Sequence, residues 1–220
     1  MKRLEAIQPK GCCHLIGWCI GGSIAFEMGL QLEKKGRKLG FFAMINSFAP
    51  DREFLGEVPA FSIHTEIQAA KRLPRFEAFK VLHGKIESIS DLWCSLLDYY
   101  SDIGLSAEEL KECVYDDMDR AIPYYDSDNI SVRDIIYYMN VLRTFDNVRA
   151  CYVPERKLNV QAYFFAAADE TAANFPVWDQ YCEKPMRVYK MKGNNFSILQ
   201  YPDVLDFAEQ LNTVLSCEGV

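Results

Sequence analysis

Residues 13–22, with the sequence CHLIGWCIGG, decide the fold of this chain. Residues 13–18 form a short apolar run that leads into glycines, which is typical of a buried strand before a sharp turn. Gly17 and Gly21 flank Cys19 with the spacing of a nucleophile elbow, a strained bend between a strand and a helix that exposes the nucleophile. The spacing therefore predicts an elbow that presents Cys19, and the alternative is a strand that ends at a buried cysteine.

The same elbow predicts a place for a developing negative charge. The backbone N–H that follows the nucleophile, here that of Ile20, points to where an oxyanion forms, near the positive end of the next helix. This field also favours the thiolate form of a cysteine at the turn.

The segments on either side of the elbow predict an α/β fold. An amphipathic helix from residue 20 to about 35 ends at Gly36, and an almost wholly apolar strand follows at residues 38–46. After residue 47 helical periodicity dominates, with helices predicted at 67–81, 89–100, after Ser106, and 132–151. The α/β pattern returns with a strand at 159–166, a short helix at 177–181, a strand at 186–191 and a helix at about 203–215. We expect a mostly parallel sheet that a long helical insertion interrupts.

Composition limits the partners and the compartment. The chain has 220 residues and a formal net charge of −7, which fits one soluble domain without the clustered positive charge of a nucleic-acid binder. No apolar run is long enough to span a bilayer, and the N-terminus has no signal-peptide pattern, so a cytoplasmic location without a membrane partner is expected. The eight cysteines are scattered, mostly in apolar segments, and no spacing predicts a metal site or a bound cofactor.

Three segments carry a resemblance to a known family. They are residues 13–50, CHLIGWCIGGSIAFEMGLQLEKKGRKLGFFAMINSFAP; residues 148–170, VRACYVPERKLNVQAYFFAAADE; and residues 178–212, WDQYCEKPMRVYKMKGNNFSILQYPDVLDFAEQLN. Together they resemble the thioesterase domains that end nonribosomal peptide and polyketide synthetases, which belong to the α/β-hydrolase superfamily. The resemblance implies a single α/β-hydrolase-like domain over residues 1–220, with the helical insertion at about 52–152 as its lid.

The resemblance implies a catalytic triad in which all three positions have changed. Cys19 falls on the family's serine, Asn46 on the acid that follows the next strand, and Asn195 on the histidine before Phe-Ser. Cysteine keeps the nucleophilic chemistry, but an amide cannot act as a general base or acid. Asp169 follows a later strand where many α/β-hydrolases place their acid, and a turn aspartate is its alternative interpretation.

Two further features bear on activity. His14, His64 and His83 are the histidines of the chain, and we interpret them as core or surface residues rather than as a replacement base. Only 18 residues precede Cys19, fewer than in the family, so either the sequence is shortened at its N-terminus or those elements are absent and the sheet is correspondingly small. In both cases the second oxyanion donor is missing from these residues.

Two functions follow from these residues. In the first, Cys19 takes an acyl or peptidyl group from a thioester on the phosphopantetheine arm of a carrier protein and passes it on, with impaired hydrolysis. In the second, the domain is catalytically inactive and binds a carrier protein.

Overall fold

The computed structural model describes residues 2–49, 62–119, 129–168 and 174–219. The chain divides into two compact units: an α/β unit of residues 1–53 and 149–220, and a helical unit of residues 54–148. Asp169 lies outside the described residues. The prediction of one domain with a lid at about 52–152 stays a prediction.

From the first strand onwards, the described elements follow the predicted order, except that one predicted helix is two, and a helix that was not predicted precedes them. The strands are β1 (Cys13–Trp18), β2 (Leu39–Ile45), β3 (Ala162–Ala167) and β4 (Arg187–Met191). The helices are α1 (Lys2–Ile7), α2 (Ile20–Lys34), α3 (Ile63–Ala70), α4 (Phe76–His83), α5 (Ile89–Asp102), α6 (Ala107–Asp119), α7 (Val132–Cys151), α8 (Asn174–Asp179) and α9 (Asp203–Glu218). A short 3-10 helix, Ser197–Leu199, precedes α9.

The four strands form one parallel sheet in the order β1-β2-β3-β4. The register pairs Trp18 with Ile45, and Ile45 with Phe165, so β1 and β2 end level with each other and β3 runs two residues further, to Ala167. Residues that directly follow these strands therefore meet at one edge of the sheet. The parallel α/β class predicted from the sequence is confirmed.

Apolar side chains cover both faces of this sheet. On one face, Phe26 of α2 packs against Phe42 of β2 and Trp178 of α8, with ring centroids 5.7 Å and 4.9 Å apart. On the other face, Phe165 of β3 packs edge-on against Phe207 of α9 at 5.2 Å. Burial on both faces explains why β2 reads as a continuous apolar run rather than as an alternating one.

The helical unit has a core of its own, in which Leu92, Leu96 and Tyr100 of α5 are fully buried. Tyr100 donates its hydroxyl hydrogen bond to the carbonyl oxygen of Pro74 at 2.7 Å, and this burial raises the pKa of its phenol. Glu66 is also fully buried, and its carboxylate accepts hydrogen bonds from Trp93 and Arg143. Within the described residues, no helix is long and apolar enough to cross a membrane.

One detail of the sequence interpretation was wrong. The helix predicted at 67–81 is two helices, because Pro74 has no N–H to donate and Arg75 adopts the left-handed conformation with φ 58°. The cysteines differ in exposure: Cys13 and Cys182 are buried, whereas Cys94, Cys113, Cys151 and Cys217 are exposed. Burial raises the pKa of the Cys182 thiol to about 12.

Candidate functional site

Cys19 lies at the turn between β1 and α2. Its backbone adopts φ 52° and ψ −125°, a conformation that L-residues rarely take, and it occupies the N-cap position of the helix. Its N–H donates to the carbonyl oxygen of Ile45 at 2.9 Å, and its own carbonyl accepts from Gly22 at 3.0 Å. The strained turn expected of a nucleophile elbow is therefore present, and it is joined to the carboxyl end of β2.

Close packing beneath the elbow explains two of its glycines. A Cβ on Gly17 would lie 2.2 Å from the carbonyl oxygen of Gly21, and a Cβ on Gly22 would lie 1.8 Å from the hydroxyl of Ser47. Ser47 is fully buried there, and its hydroxyl donates to the carbonyls of Ile45 and Gly17 at 3.3 Å and 3.4 Å. Around Gly21, in contrast, a Cβ would meet nothing within 4 Å. Gly17 and Gly22 are thus the sterically required pair.

Ile20 is the first residue of α2, a helix of 15 residues. Its backbone N–H therefore has no acceptor within the helix and lies at the positive end of the helix dipole. This position suits the predicted role of Ile20 as an oxyanion donor.

Asn46 follows β2 directly and connects two neighbouring elements. It is 1% exposed and has φ 46°, a left-handed conformation that asparagine tolerates better than most residues. Its side-chain oxygen accepts a hydrogen bond from the N–H of Ala167 at 3.1 Å, and its side-chain nitrogen donates to the oxygen of Asn195 at 3.0 Å. Asn46 is thus held firmly at the carboxyl edge of the sheet.

Asn195 lies in the loop between β4 and α9, which its neighbours hold in place. The side-chain oxygen of Asn194 accepts from the N–H groups of Phe196 and Ser197 at 2.9 Å and 2.8 Å. The hydroxyl of Ser197 donates to Asp203 at 2.6 Å. The indole N–H of Trp18 donates to the carbonyl oxygen of Asn195 at 2.9 Å, which joins this loop to the residue before Cys19.

The structure therefore brings the elbow, Asn46 and Asn195 to the same edge of the sheet. Sequence reasoning gave no role to Trp18, Ser47 or Ala167, whose contacts join these residues. The sequence carries no signal for the Ala167 contact, since a backbone N–H is the donor, whereas the indole of Trp18 was visible beside Cys19 as a potential donor.

Of the three histidines, His14 belongs to the α/β unit, and His64 and His83 belong to the helical unit. His14 stands five residues before Cys19 on extended backbone, which places it about 16 Å away towards the opposite edge of the sheet. In the helical unit, His83 is exposed and its ring packs on Phe79 at 4.6 Å, and His64 is exposed on α3. Among the described residues there is also no cluster of three histidine, cysteine or carboxylate side chains that could hold a metal ion.

This edge carries a thiol, that of Cys19, together with groups that donate and accept hydrogen bonds. A thiol at the end of a helix and a helix N–H can support covalent attack and charge stabilisation. The amides of Asn46 and Asn195 can only donate and accept hydrogen bonds.

Comparison with known protein families identifies the class. The family model described as thioesterase domain matches residues 1–212. The chain belongs to this family.

Two of the similar proteins are nonribosomal peptide synthetases, and another is a thioesterase domain. The dimodular nonribosomal peptide synthase of Bacillus subtilis (strain 168) is 35% identical over 57 residues, which cover 24% of this chain and 2% of that protein. A solved four-domain nonribosomal peptide synthetase has a TM-score of 0.61 at 21% identity, over 97% of this chain and 15% of that chain. The SrfTE thioesterase domain, which cyclises the lipopeptide surfactin, has a TM-score of 0.55 at 13% identity, over 97% and 71%. The chain spans only 1–2% of the length of its curated relatives.

Proposed function

We propose that this domain accepts an acyl or peptidyl group on Cys19 from a thioester of a carrier protein and releases it by transfer to a second nucleophile. The observation that carries the proposal is the elbow itself, in which Cys19 has φ 52° at the N-terminus of α2. The family and its relatives support the carrier-bound thioester as the substrate class, because those relatives are nonribosomal peptide synthetases.

Acylation needs little help from a base. The Cys19 thiolate attacks the thioester carbonyl, the new sulfur–carbon bond forms, and the phosphopantetheine thiolate leaves and takes a proton from water. The N–H of Ile20 stabilises the oxyanion of the tetrahedral intermediate. Because a thiolate is a good leaving group, this exchange proceeds without a histidine.

Release is the step that the changed triad alters. Hydrolysis requires a group that removes a proton from water, and the amide of Asn195 cannot do so. An amine that arrives deprotonated attacks the acyl-cysteine without such help. Transfer or cyclisation is therefore favoured over hydrolysis. Asp169 remains a candidate acid that stands outside the described residues.

A non-catalytic carrier-binding domain is the second candidate. The observation that favours it is the hydrogen bond between Asn46 and Asn195, which occupies both triad partner positions with groups that do not titrate. Under this function the elbow is a structural remnant and Cys19 does not react with thioesters.

We expect Cys19 to become acylated when the protein is incubated with a short-chain acyl thioester of N-acetylcysteamine. Intact mass gives the stoichiometry and peptide mapping gives the position, which matters because Cys94, Cys113, Cys151 and Cys217 are exposed. The adduct at residue 19 should accumulate within minutes and be absent from Cys19→Ala, whereas Cys94→Ala should behave as the unchanged protein. Absence of an adduct at Cys19 would contradict acyl transfer and favour the carrier-binding function.

A further inference from the structure

The orientation of the Asn46 amide is fixed by what lies on its other side. Ala167 presents a backbone N–H, which can only donate, so the oxygen of Asn46 must face Ala167, at 3.1 Å. The nitrogen of Asn46 then faces Asn195, at 3.0 Å. Burial reinforces this arrangement, because Asn46 is 1% exposed and a reversed amide would place two donors against each other.

The orientation of the Asn195 amide follows from that of Asn46. Since Asn46 donates, Asn195 must turn its oxygen towards Asn46. The Asn195 nitrogen is then the group directed away from Asn46, and no described residue accepts a hydrogen bond from it. Its loop is joined to the elbow through Trp18, so this donor stands at the edge that carries Cys19.

We infer that Ala167, Asn46 and Asn195 form a donor relay, which presents the Asn195 side-chain nitrogen to the acyl-transfer edge and stabilises anionic atoms there. Asn46 is the positioning residue of this relay, because it acts through Asn195. An Asp–His pair at the same positions would present a proton acceptor at this edge, whereas the two asparagines present a hydrogen-bond donor. The inference rests on the proposed function only in taking Cys19 as the reactive atom.

Asn46→Asp should reverse the relay without removing the Ala167 contact. Aspartate still accepts from the Ala167 N–H, but it cannot donate, so Asn195 must turn its nitrogen towards residue 46 and its oxygen outwards. We expect the midpoint of the pH profile of Cys19 alkylation by iodoacetamide to rise by about one pH unit, because the thiolate loses a donor and gains a nearby carboxylate. Peptide mapping separates Cys19 from the exposed cysteines, and the readout requires no acyl transfer.

A double-mutant cycle separates the relay from the added charge. In the Asn195→Ala background, Asn46→Asp should raise the midpoint by less than half as much, because only the charge effect remains. Asn194→Asp is the matched control, since it adds a charge in the same loop and keeps the acceptor for Phe196 and Ser197. It should leave the midpoint within about 0.3 units because Asn194 is exposed to screening solvent.

An equal shift with and without the Asn195 side chain overturns the relay, as does no shift at all. If Asn46→Asp fails to fold, Asn195→Leu removes the donor and should also raise the midpoint.

Asn195→His tests whether residue 46 donates or accepts a hydrogen bond, and the test needs neither alkylation nor acylation. The ring Nδ1 of histidine branches from Cγ as the amide oxygen of asparagine does, so Asn46 should donate to it and hold the Nε2–H tautomer. Asn46→Asp with Asn195→His should give the Nδ1–H tautomer, whose unprotonated Nε2 can serve as a base. Imidazole nitrogen-15 chemical shifts distinguish the two tautomers.

The rate at which water removes the acyl group should depend on which histidine tautomer is present. We expect water to release the acyl group from Cys19 at least about tenfold faster in the double variant than in Asn195→His alone, since a wrongly oriented imidazole is a poor base. The same tautomer in both variants overturns the relay. A changed tautomer without acylation of Cys19 supports the relay and contradicts the proposed function instead.

Discussion

Gly17→Ala is expected to lower the free energy of unfolding of the α/β unit by about 3 kcal/mol, at the upper end of the cost of overpacking. The added methyl group would lie 2.2 Å from the Gly21 carbonyl oxygen and 2.6 Å from the Gly22 Cα. Both are backbone atoms at the start of α2, so no side chain can rotate to relieve the overlap. The helix would have to move away from β1, which would also displace the Cys19 turn. Urea denaturation followed by circular dichroism and tryptophan fluorescence measures the loss.

Gly21→Ala is the matched control for this prediction. It inserts the same methyl group four residues later in the same elbow, where nothing lies within 4 Å. Alanine also loses less conformational entropy in a helix than glycine, so stability should stay unchanged or rise by up to about 1 kcal/mol. Equal losses in the two variants would contradict the packing argument, because they would show that the elbow demands glycine at residue 21 for another reason.

The strand–elbow–helix–strand unit could be predicted from sequence because its signals are local. The glycines around Cys19 and the apolar runs on both sides specify a turn and two buried strands, and the structure has them at Cys13–Trp18 and Leu39–Ile45. The start of α6 could be predicted for the same reason. Ser106 and Glu109 stand three residues apart, the spacing of a capping box, and in the structure they exchange hydrogen bonds between side chain and backbone.

The contacts that orient the amides of Asn46 and Asn195 could not be predicted from the sequence. Asn46 and Asn195 are 149 positions apart, and the group that orients them is the backbone N–H of Ala167, which no side-chain pattern reveals. The resemblance aligned both asparagines with triad positions, but it could not tell which way each amide faces. That direction depends on which hydrogen-bond donors and acceptors face each amide, and these groups come together only in the folded sheet. The break between α3 and α4 at Pro74 is local, but it was missed because the helical periodicity of the sequence continues across it.

Arg143→Met is expected to destabilise the helical unit by about 3–5 kcal/mol, because it leaves a buried carboxylate without its cation. The Glu66 side chain is 1% exposed, and Arg143 contacts it through two guanidinium nitrogens, with the Nε atom 3.0 Å and 3.1 Å from the carboxylate oxygens. Trp93 supplies a third donor at 3.0 Å. Methionine keeps much of the apolar stem of arginine, so the loss reports the missing charge more than missing packing. Hydrogen exchange measured by mass spectrometry assigns the loss to α3, α5 and α7.

Two further variants show whether the buried charge is the cause. Adding Glu66→Gln to Arg143→Met removes the unpaired charge and keeps an oxygen that can accept from Trp93, so most of the stability should return. Lys85→Met breaks an ion pair with Glu87 whose side chains are 87% and 72% exposed, and it should cost less than about 1 kcal/mol. If Glu66→Gln fails to rescue Arg143→Met, the arginine stabilises this unit through packing rather than by pairing with a buried carboxylate.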